Sequence, residues 1–382
     1  MSSHSTTVPV SPEDTVWLLD TTAFPTPADD NGKDQTPLAF DRDATNATWT
    51  AEFVACLFAQ DKFRTKAGKW IAQIAQELNL APDDEAARRT IETRVQPFLA
   101  DILPSKQLSV RINGDEQRDE RTGEVLKLER SDRNGISSSR RSFNRPVAVG
   151  EPGAKLKCVA ITEPGDTRDI EMDVFCASAG GWGIISDIDD TIKVSQVRDR
   201  AALLRNTFVN SPEPTPGFPE FYQTLQARLN SPTYLYLSAS PYNLYPFLRS
   251  FVRKNYPHGQ IILRDMSWMD LSSFVVNLSE GTQDYKVDRM KKVHGWLPRK
   301  RWVAIGDSTQ TDPESYAEIY KTYPGWIQRI WIRTVRGVDP EKEKHLNSAK
   351  RLEKAFAGVP KEAWKTFDDV EELYAELNKI EV

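Results

Sequence analysis

The amino-acid sequence predicts an α/β domain in its second half, preceded by a mixed helical and β-rich domain. Beyond Gly181, short apolar strands alternate with helical stretches, which is typical of a parallel sheet covered by helices on both faces. Between Gln107 and Cys176, short segments of alternating polarity are separated by Gly, Asn, Asp and Pro, as in an antiparallel β unit. We therefore expect a hinge between the two halves at SAGGWG, residues 178–183.

Composition and charge narrow the class of protein. The 382 residues carry a formal net charge of −5, whereas a nucleic-acid-binding protein usually shows a basic excess, so no nucleic-acid partner is expected. The three cysteines are far apart and lack CxxC spacing, which argues against a disulfide framework or a zinc site and favours a reducing compartment. Residues 1–14 are polar, lack the apolar core of a signal peptide and are predicted to be disordered. Since no stretch is long and apolar enough to predict a membrane span, we expect a soluble intracellular protein.

The first domain is predicted to extend over residues 15–180. It begins with strand-like segments at 16–24 and 49–58, which are separated by a loop rich in Asp and Pro. Two helices are predicted to follow, because apolar residues recur at helical spacing and form one stripe in each helix. The stripes, which we expect to face a core, are Trp70, Ile71, Ile74 and Leu78 in the first helix and Ile91, Val95, Phe98, Leu99 and Ile102 in the second.

The second domain is predicted to extend over residues 181–338. Its strands are predicted at GIISD, YLYLS, IILRD, RWVAIGD and IQRIWIRTV. After the first strand, residues 203–222 predict a semi-rigid loop, because four prolines restrict the backbone to extended conformations. We expect Phe208 and Phe218, within this segment, to line the entrance of a site. Residues 339–382 are predicted to form a C-terminal tail of two charged amphipathic helices.

Several of the predicted strands end in polar residues that suit phosphate chemistry. Ligand sites of parallel sheets lie beyond the carboxyl ends of the strands, so these residues are expected to converge in a single crevice. Three of the five residues from 187 to 191 are aspartates, and carboxylates this close raise one another's proton affinity unless a cation neutralises them. Mg²⁺ is the natural cation, because it takes oxygen ligands from one or two carboxylates together with substrate phosphate. The residues concerned are Asp187, Asp189, Asp190, Thr191, Ser238, Lys286, Asp307 and Asp312.

The order of these residues resembles the four signature motifs of the haloacid dehalogenase superfamily of phosphatases. The motifs are D-x-D-x-T at 187–191, a strand that ends at Ser238, then Lys286, and G-D-x-x-x-x-D at 306–312. The resemblance implies a Rossmann-like parallel-sheet domain. It also implies that Asp187 is a nucleophile, whose aspartyl-phosphate divides one difficult displacement into two easier ones. Asp189 would be the general acid that protonates the leaving oxygen and then the base that activates water.

The same resemblance implies roles for the other motif residues. Ser238 would donate a hydrogen bond to a phosphate oxygen, and Thr191 would fix the loop by hydrogen bonding. Lys286 would supply positive charge to the phosphoryl group and keep the nucleophile ionised. The Mg²⁺ ligands would be Asp187, the backbone carbonyl of Asp189, Asp307 and, directly or through water, Asp312.

Four further residues have roles that the motifs alone do not assign. Ser240 is a candidate substrate-binding residue beside Ser238, which the motif position favours. Arg264 ends a strand at the same edge of the sheet and either orients the substrate or Lys286, or makes a structural pair. Lys193 is the third substrate-binding candidate, with an exposed surface position as the alternative. Asp190 occupies a variable position of the motif, so we expect it to shape the turn.

The flanking segments resemble more narrowly the actin-patch-associated, Mg²⁺-dependent phosphatidate phosphatases of fungi, which are relatives of the lipins. The segments are DIDDTIK, YLSASPYNLYPFL, IILRDM, DYKVDRM and IGDSTQTDPESYAEIY, with VWLLDTTAF and WTAEFV in the first half. The resemblance implies a phosphoric monoester hydrolase that converts phosphatidate to diacylglycerol and phosphate. It further implies a cytoplasmic location, reversible peripheral contact with phospholipid membranes, and partners among endocytic or actin-patch proteins.

Two alternatives remain open from the sequence. A superfamily phosphatase with this motif set could act on a soluble phosphomonoester or on a phosphoprotein. The phosphatase fold could also serve as a catalytically inactive trafficking scaffold, although such a protein would be free to lose Asp187, Asp189 or Lys286.

Overall fold

The computed structural model describes residues 10–26, 48–59, 64–81, 83–113, 123–144, 154–264 and 282–382. The chain divides into two compact units, which are Met1–Lys62 with Ala100–Gly180 and Phe63–Leu99 with Gly181–Val382. The first unit is built on a large, mainly antiparallel sheet, and the second is an α/β unit around a parallel sheet.

The first unit contains a nine-stranded sheet in its described part. Its order is β1-β3-β2-β9-β8-β5-β6, with β4 and β7 also paired to β3. Neighbouring strands are antiparallel, except that β2 and β9 are parallel. Alternating apolar residues of these strands, among them Phe53, Leu57 and Val110, form one core cluster. The strands are β1 (Asp14–Leu19), β2 (Thr21–Pro25), β3 (Thr48–Ala59), β4 (Asp101–Ile102), β5 (Ser109–Asn113), β6 (Glu124–Lys127), β7 (Ile136–Asn144), β8 (Lys155–Ile161) and β9 (Glu171–Cys176).

The described residues of the second unit form a six-stranded parallel sheet. Its order is β12-β11-β10-β13-β14-β15. Every residue of the central strand β10 is buried, as expected for a strand covered on both faces. Gly183 in this strand is required by packing, because a Cβ atom there would lie 2.4 Å from the ring of Trp302. The strands are β10 (Trp182–Asp187), β11 (Thr233–Pro241), β12 (Gln260–Arg264), β13 (Arg301–Asp307), β14 (Ile327–Arg333) and β15 (Trp364–Phe367).

Helices alternate with these strands, as the sequence predicts. Asp199 caps the helix that follows the D-x-D-x-T motif, since its side chain accepts a hydrogen bond from the backbone N–H of Ala202. The described helices are α1 (Arg64–Glu77), α2 (Glu85–Leu99), α3 (Arg200–Phe208), α4 (Phe218–Arg228), α5 (Tyr245–Asn255), α6 (Thr282–Trp296), α7 (Asp312–Thr322), α8 (Pro340–Leu346), α9 (Ala349–Ala355) and α10 (Glu372–Asn378).

Two parts of the chain join the second unit in ways that differ from the sequence-based expectation. Helices α1 and α2, expected within 15–180, group with the second unit, where the Phe98 ring packs 5.8 Å from Phe208. The segment 339–382 is expected to be a helical tail, but it also supplies β15, which pairs with β14. Its last helix packs on α4, since the rings of Tyr374 and Phe221 lie 5.2 Å apart.

The expectation that Phe208 and Phe218 line an entrance is wrong. Both side chains are fully buried. The Phe218 ring lies 6.1 Å from that of Phe367 in β15, so it belongs to the core of the second unit. The physical reason is that α3 and α4 form the two ends of the proline-rich segment, and each helix packs its phenylalanine into the core.

Candidate active site

The predicted site residues lie at the carboxyl edge of the parallel sheet. Asp187 is the last residue of β10, Asp307 is the last of β13, and Ser238 and Ser240 lie near the end of β11. Lys286 projects from the second turn of α6, and Asp312 begins α7. All of these side chains are buried. The convergence expected from the strand ends is therefore found.

Three carboxylates and one ammonium group form the centre of the site. Asp187, Asp307 and Asp312 each offer an oxygen, and these oxygens all lie within 4.8 Å of one another. The Nζ atom of Lys286 donates to Asp187 Oδ1 over 2.7 Å and also pairs with Asp312. Burial opposes the charge of Lys286, but Asp187 and Asp312 outweigh it and raise the pKa of the ammonium group. Burial also raises the pKa of Asp187 well above its ordinary range, and the charge of Lys286 opposes this.

Asp307 is the least satisfied carboxylate of the cluster. Its Oδ1 atom accepts hydrogen bonds from the backbone N–H groups of Thr309 at 2.5 Å and Gln310 at 3.3 Å. Its Oδ2 atom is buried and has no hydrogen-bond partner among the described residues. Burial, followed by the charge of Asp312, raises the pKa of Asp307 to about 7. A buried carboxylate oxygen without a donor, beside two further carboxylates, fits the donor set that Mg²⁺ takes in proteins.

Asp189 has different surroundings, because four donors saturate its carboxylate. Oδ1 accepts from Lys193 Nζ at 3.1 Å and from Ser195 Oγ at 2.6 Å. Oδ2 accepts from Ser238 Oγ at 2.9 Å and from Ser240 Oγ at 3.1 Å. Burial alone would raise the pKa of Asp189, but the charge of Lys193 and the serine hydrogen bonds outweigh it and lower the pKa.

Thr191 and Asp190 shape the loop that follows β10. The hydroxyl group of Thr191 donates to Asp187 Oδ2 over 3.0 Å, in line with its expected role in fixing the loop. Asp190 has a positive φ of 59° and accepts hydrogen bonds from the backbone N–H groups of residues 195, 196 and 197 at 3.0, 2.6 and 2.7 Å. Asp190 therefore shapes the turn, as the sequence predicts.

The three candidate substrate-binding residues have different positions. Ser240 lies beside Ser238 on Asp189. The exposed alternative for Lys193 is wrong, since its side chain is buried against Asp189. Arg264 ends β12, where its guanidinium group lies 6.0 Å from the centre of the Tyr285 ring, and the Asp265 that follows it lies outside the described residues.

Sequence reasoning missed Ser195. Its hydroxyl group contacts both Asp189 and Lys193. The available signal is the spacing of Lys193 and Ser195, because residues two apart in an extended segment project to the same side. The bridge between Lys193 and Pro214 shows that the segment is extended at this point.

The parallel sheet and its buried centre of carboxylates and lysine define an α/β domain with a phosphatase-like site. Residues 182–334 match the family model described as the catalytic domain of phosphatidate phosphatase APP1. This segment is therefore similar to the catalytic domain of the APP1-type phosphatidate phosphatases. The matched range contains all the catalytic and metal-binding candidates named from the sequence.

Two fungal relatives match a similar length of the chain. Phosphatidate phosphatase APP1 of Saccharomyces cerevisiae is 31% identical over 156 residues, which are 40% of this chain and 26% of the yeast protein. An uncharacterized protein of Schizosaccharomyces pombe is 30% identical over 160 residues, which are 41% of this chain and 25% of that protein. The matches thus span about a quarter of the length of either relative.

One solved structure, a 2,6-sialyltransferase of Photobacterium, aligns over 72% of this chain and 53% of its own. The sequence identity is 8% and the TM-score is 0.24, so this likeness carries no argument.

The described helices include none that combines the length and the apolar character needed to cross a bilayer.

Proposed function

We propose that the protein is a Mg²⁺-dependent phosphatidate phosphatase of the haloacid dehalogenase superfamily. It hydrolyses phosphatidate to diacylglycerol and phosphate through an aspartyl-phosphate intermediate. The observation that carries the proposal is the buried convergence of Asp187, Asp307, Asp312 and Lys286 inside the segment that matches the APP1 catalytic domain.

Asp187 is the proposed nucleophile. Hydrogen bonds from Lys286 to Oδ1 and from Thr191 to Oδ2 fix the orientation of its carboxylate. The positive charge of Lys286 favours the ionised form that attack on phosphorus requires, and it offsets the negative charge of the phosphoryl oxygens. Burial of both groups makes this electrostatic effect larger than it would be in water.

Asp189 is the proposed general acid and base. Asp189 follows Asp187 by two residues, and its carboxylate is buried at the same edge of the sheet. Ser238 and Ser240 contact its Oδ2 atom, and a hydroxyl group can rotate from this oxygen to donate to a phosphate oxygen instead. The serines thus hold Asp189 in place before substrate binds and supply donors to the phosphoryl group afterwards.

Asp187, Asp307 and Asp312 would hold Mg²⁺, with the backbone carbonyl of Asp189 as a further ligand. The oxygens of the three side chains are close enough to share one ion, and the Oδ2 atom of Asp307 lacks a donor among the described residues. When bound, the ion supplies positive charge that offsets the charge of the transferred phosphoryl group.

The lipid substrate and the cellular setting are also part of the proposal. Phosphatidate is proposed because the matched yeast protein and the family model carry the name phosphatidate phosphatase. A cytoplasmic enzyme that binds phospholipid membranes peripherally and reversibly, with endocytic or actin-patch partners, follows from the sequence resemblance alone. Arg264 is retained as a residue that orients the substrate.

The test is phosphate release from phosphatidate in mixed micelles, with Mg²⁺ and with a chelator. Asp187→Asn should abolish release without unfolding the protein, and chelation should have the same effect on the unmodified enzyme. Asp288→Asn is the matched control, because it removes an exposed carboxylate from α6. Full activity of Asp187→Asn would refute the nucleophile. A preference for soluble phosphomonoesters or a phosphoprotein would refute the lipid substrate, and no release from any substrate would favour the inactive scaffold.

A further inference from the structure

Lys193 is a buried lysine, so the free-energy cost of removing its ammonium group from water must be offset by contacts within the protein. Its side chain is fully buried, and removal of an ammonium group from water is unfavourable unless it is paired and hydrogen-bonded. The Nζ atom lies 3.1 Å from Asp189 Oδ1 and donates a second hydrogen bond to Ser195 Oγ. Ser195 in turn donates to the same Oδ1 atom. Lys193 and Ser195 therefore form a closed triangle with one oxygen of Asp189.

The backbone that carries Lys193 is fixed on both sides. Its carbonyl group accepts a hydrogen bond from the N–H of Asp190 at 2.8 Å, and its own N–H donates to Ile188 at 3.0 Å. On the opposite side, residues 192 and 194 exchange backbone hydrogen bonds with residues 215 and 213 at 2.9 and 3.0 Å. The ammonium group thus projects from a segment that has little freedom to move away from Asp189.

The two oxygens of Asp189 have distinct sets of partners. Oδ1 contacts Lys193 and Ser195, whereas Oδ2 contacts Ser238 and Ser240 at the end of β11. Of these two pairs, Ser238 and Ser240 lie on β11, and Ser238 is the residue expected to donate to a phosphate oxygen. The carboxylate is therefore anchored through one oxygen and faces the phosphate side through the other.

We propose that Lys193, together with Ser195, is a positioning residue that fixes Asp189 so that Oδ2 is the oxygen that transfers protons. This inference rests on the proposed function and replaces the expected substrate contact of Lys193. The first step starts from the form of Asp189 that has taken a proton from solvent on Oδ2, after Ser238 and Ser240 have turned their hydroxyl groups from this oxygen to the phosphate. Asp187 then forms a bond to phosphorus, the bond from phosphorus to the glycerol oxygen breaks, and Oδ2–H gives its proton to that oxygen. In the second step water attacks phosphorus, the bond to Asp187 breaks, and Oδ2 takes the proton from the water.

The test uses two substrates that differ in their need for a proton on the leaving oxygen. Dioctanoyl phosphatidate has a poor alkoxide leaving group, whereas para-nitrophenyl phosphate releases a stable phenolate without protonation. Release of the leaving group is measured in a single turnover with enzyme in excess, which isolates the first step. General acid catalysis contributes about 100-fold or more, so Lys193→Met should slow phosphatidate cleavage by about that factor and nitrophenol release by less than about tenfold.

Controls separate this inference from its rivals. Asp189→Asn should show the same dependence on the leaving group, and Lys291→Met, on the exposed side of α6, should leave both rates unchanged. Equal loss for both substrates, or weaker binding with an unchanged cleavage rate, would overturn the positioning role and favour direct substrate contact. If Lys193→Met does not fold, Ser195→Ala replaces it, with a selective loss of about tenfold expected and an equal loss refuting the role. Lack of activity in the unmodified enzyme would refute the proposed function instead.

Discussion

Replacing Asp307 by asparagine should make the metal-free protein more stable while it removes the affinity for Mg²⁺. Asp307 is fully buried, its Oδ2 atom lacks a donor in the described part of the chain, and its pKa is raised to about 7 by burial and by Asp312. An asparagine oxygen can still accept the hydrogen bonds from Thr309 and Gln310. The substitution therefore removes a buried charge and keeps the local hydrogen bonds.

The magnitude follows from the pKa of Asp307 in the two states. Its ordinary value is 3.8 and its value in the folded protein is about 7, so the folded state binds the proton more tightly. The contribution of this proton to the free energy of unfolding is fully present below pH 3.8 and is lost as the pH rises through about 7. Above that pH, the ionised carboxylate lowers the free energy of unfolding by on the order of 4 kcal/mol. An amide oxygen accepts the hydrogen bonds from Thr309 and Gln310 less strongly than a carboxylate does. With that loss included, Asp307→Asn should raise the free energy of unfolding by about 2 to 4 kcal/mol in alkaline buffer.

The assay is urea unfolding in the presence of a chelator, in mildly acidic and mildly alkaline buffers. The variant should be more stable than the unmodified protein in the alkaline buffer, and the difference should shrink in the acidic one. Added Mg²⁺ should raise the stability of the unmodified protein alone, because only that protein retains all three carboxylates of the proposed Mg²⁺ site. Asp288→Asn, which changes an exposed carboxylate, controls for net charge. A variant that is equally or less stable in alkaline chelator buffer would refute the reasoning.

Three further substitutions test other contacts of the second unit. Gly306→Ala should abolish Mg²⁺ binding with the fold retained, because the new Cβ atom would lie 2.4 Å from the carboxylate of Asp312, and calorimetry of Mg²⁺ binding checks this. Arg351→Met should lower the free energy of unfolding by about 2 to 4 kcal/mol. The substitution breaks a two-bond ion pair with Glu314 and hydrogen bonds to two carbonyl groups of the loop after β13. An unchanged urea midpoint would contradict this expectation. Arg94→Met should cost about 1 to 3 kcal/mol in the same assay, because it removes bonds of 2.9 and 2.6 Å to two carbonyl groups at the end of α3, and a loss below this range would show that these bonds contribute little.

The strand ends of the second half could be predicted because their pattern is strong. Apolar runs bounded by polar residues mark β10, β11 and β13, and their carboxyl ends carry Asp187, Ser238 and Asp307. Parallel pairing then forces these ends to one edge, so the site follows from local pattern and topology together.

The remaining features depend on contacts that no local pattern encodes. Lys193 reads as a surface residue because lysine is seldom buried without a partner, and its partner Asp189 is identified only by the folded loop. The strand β15 is four residues long and contains a lysine, so neither its length nor its polarity marks it in the sequence. The burial of Phe208 and Phe218 likewise depends on α2 and β15, which come from distant parts of the chain.

The pairing of β15 with β14 has a practical consequence for fragments of this protein. A fragment cut where the family match stops, at residue 334, would lose both β15 and the helix that follows it. The backbone N–H and C=O groups of β14 would then line an open border, next to the apolar side chains of Ile330 and Ile332. Such a border can recruit a strand from a second molecule, so self-association is the expected fate of the shortened domain.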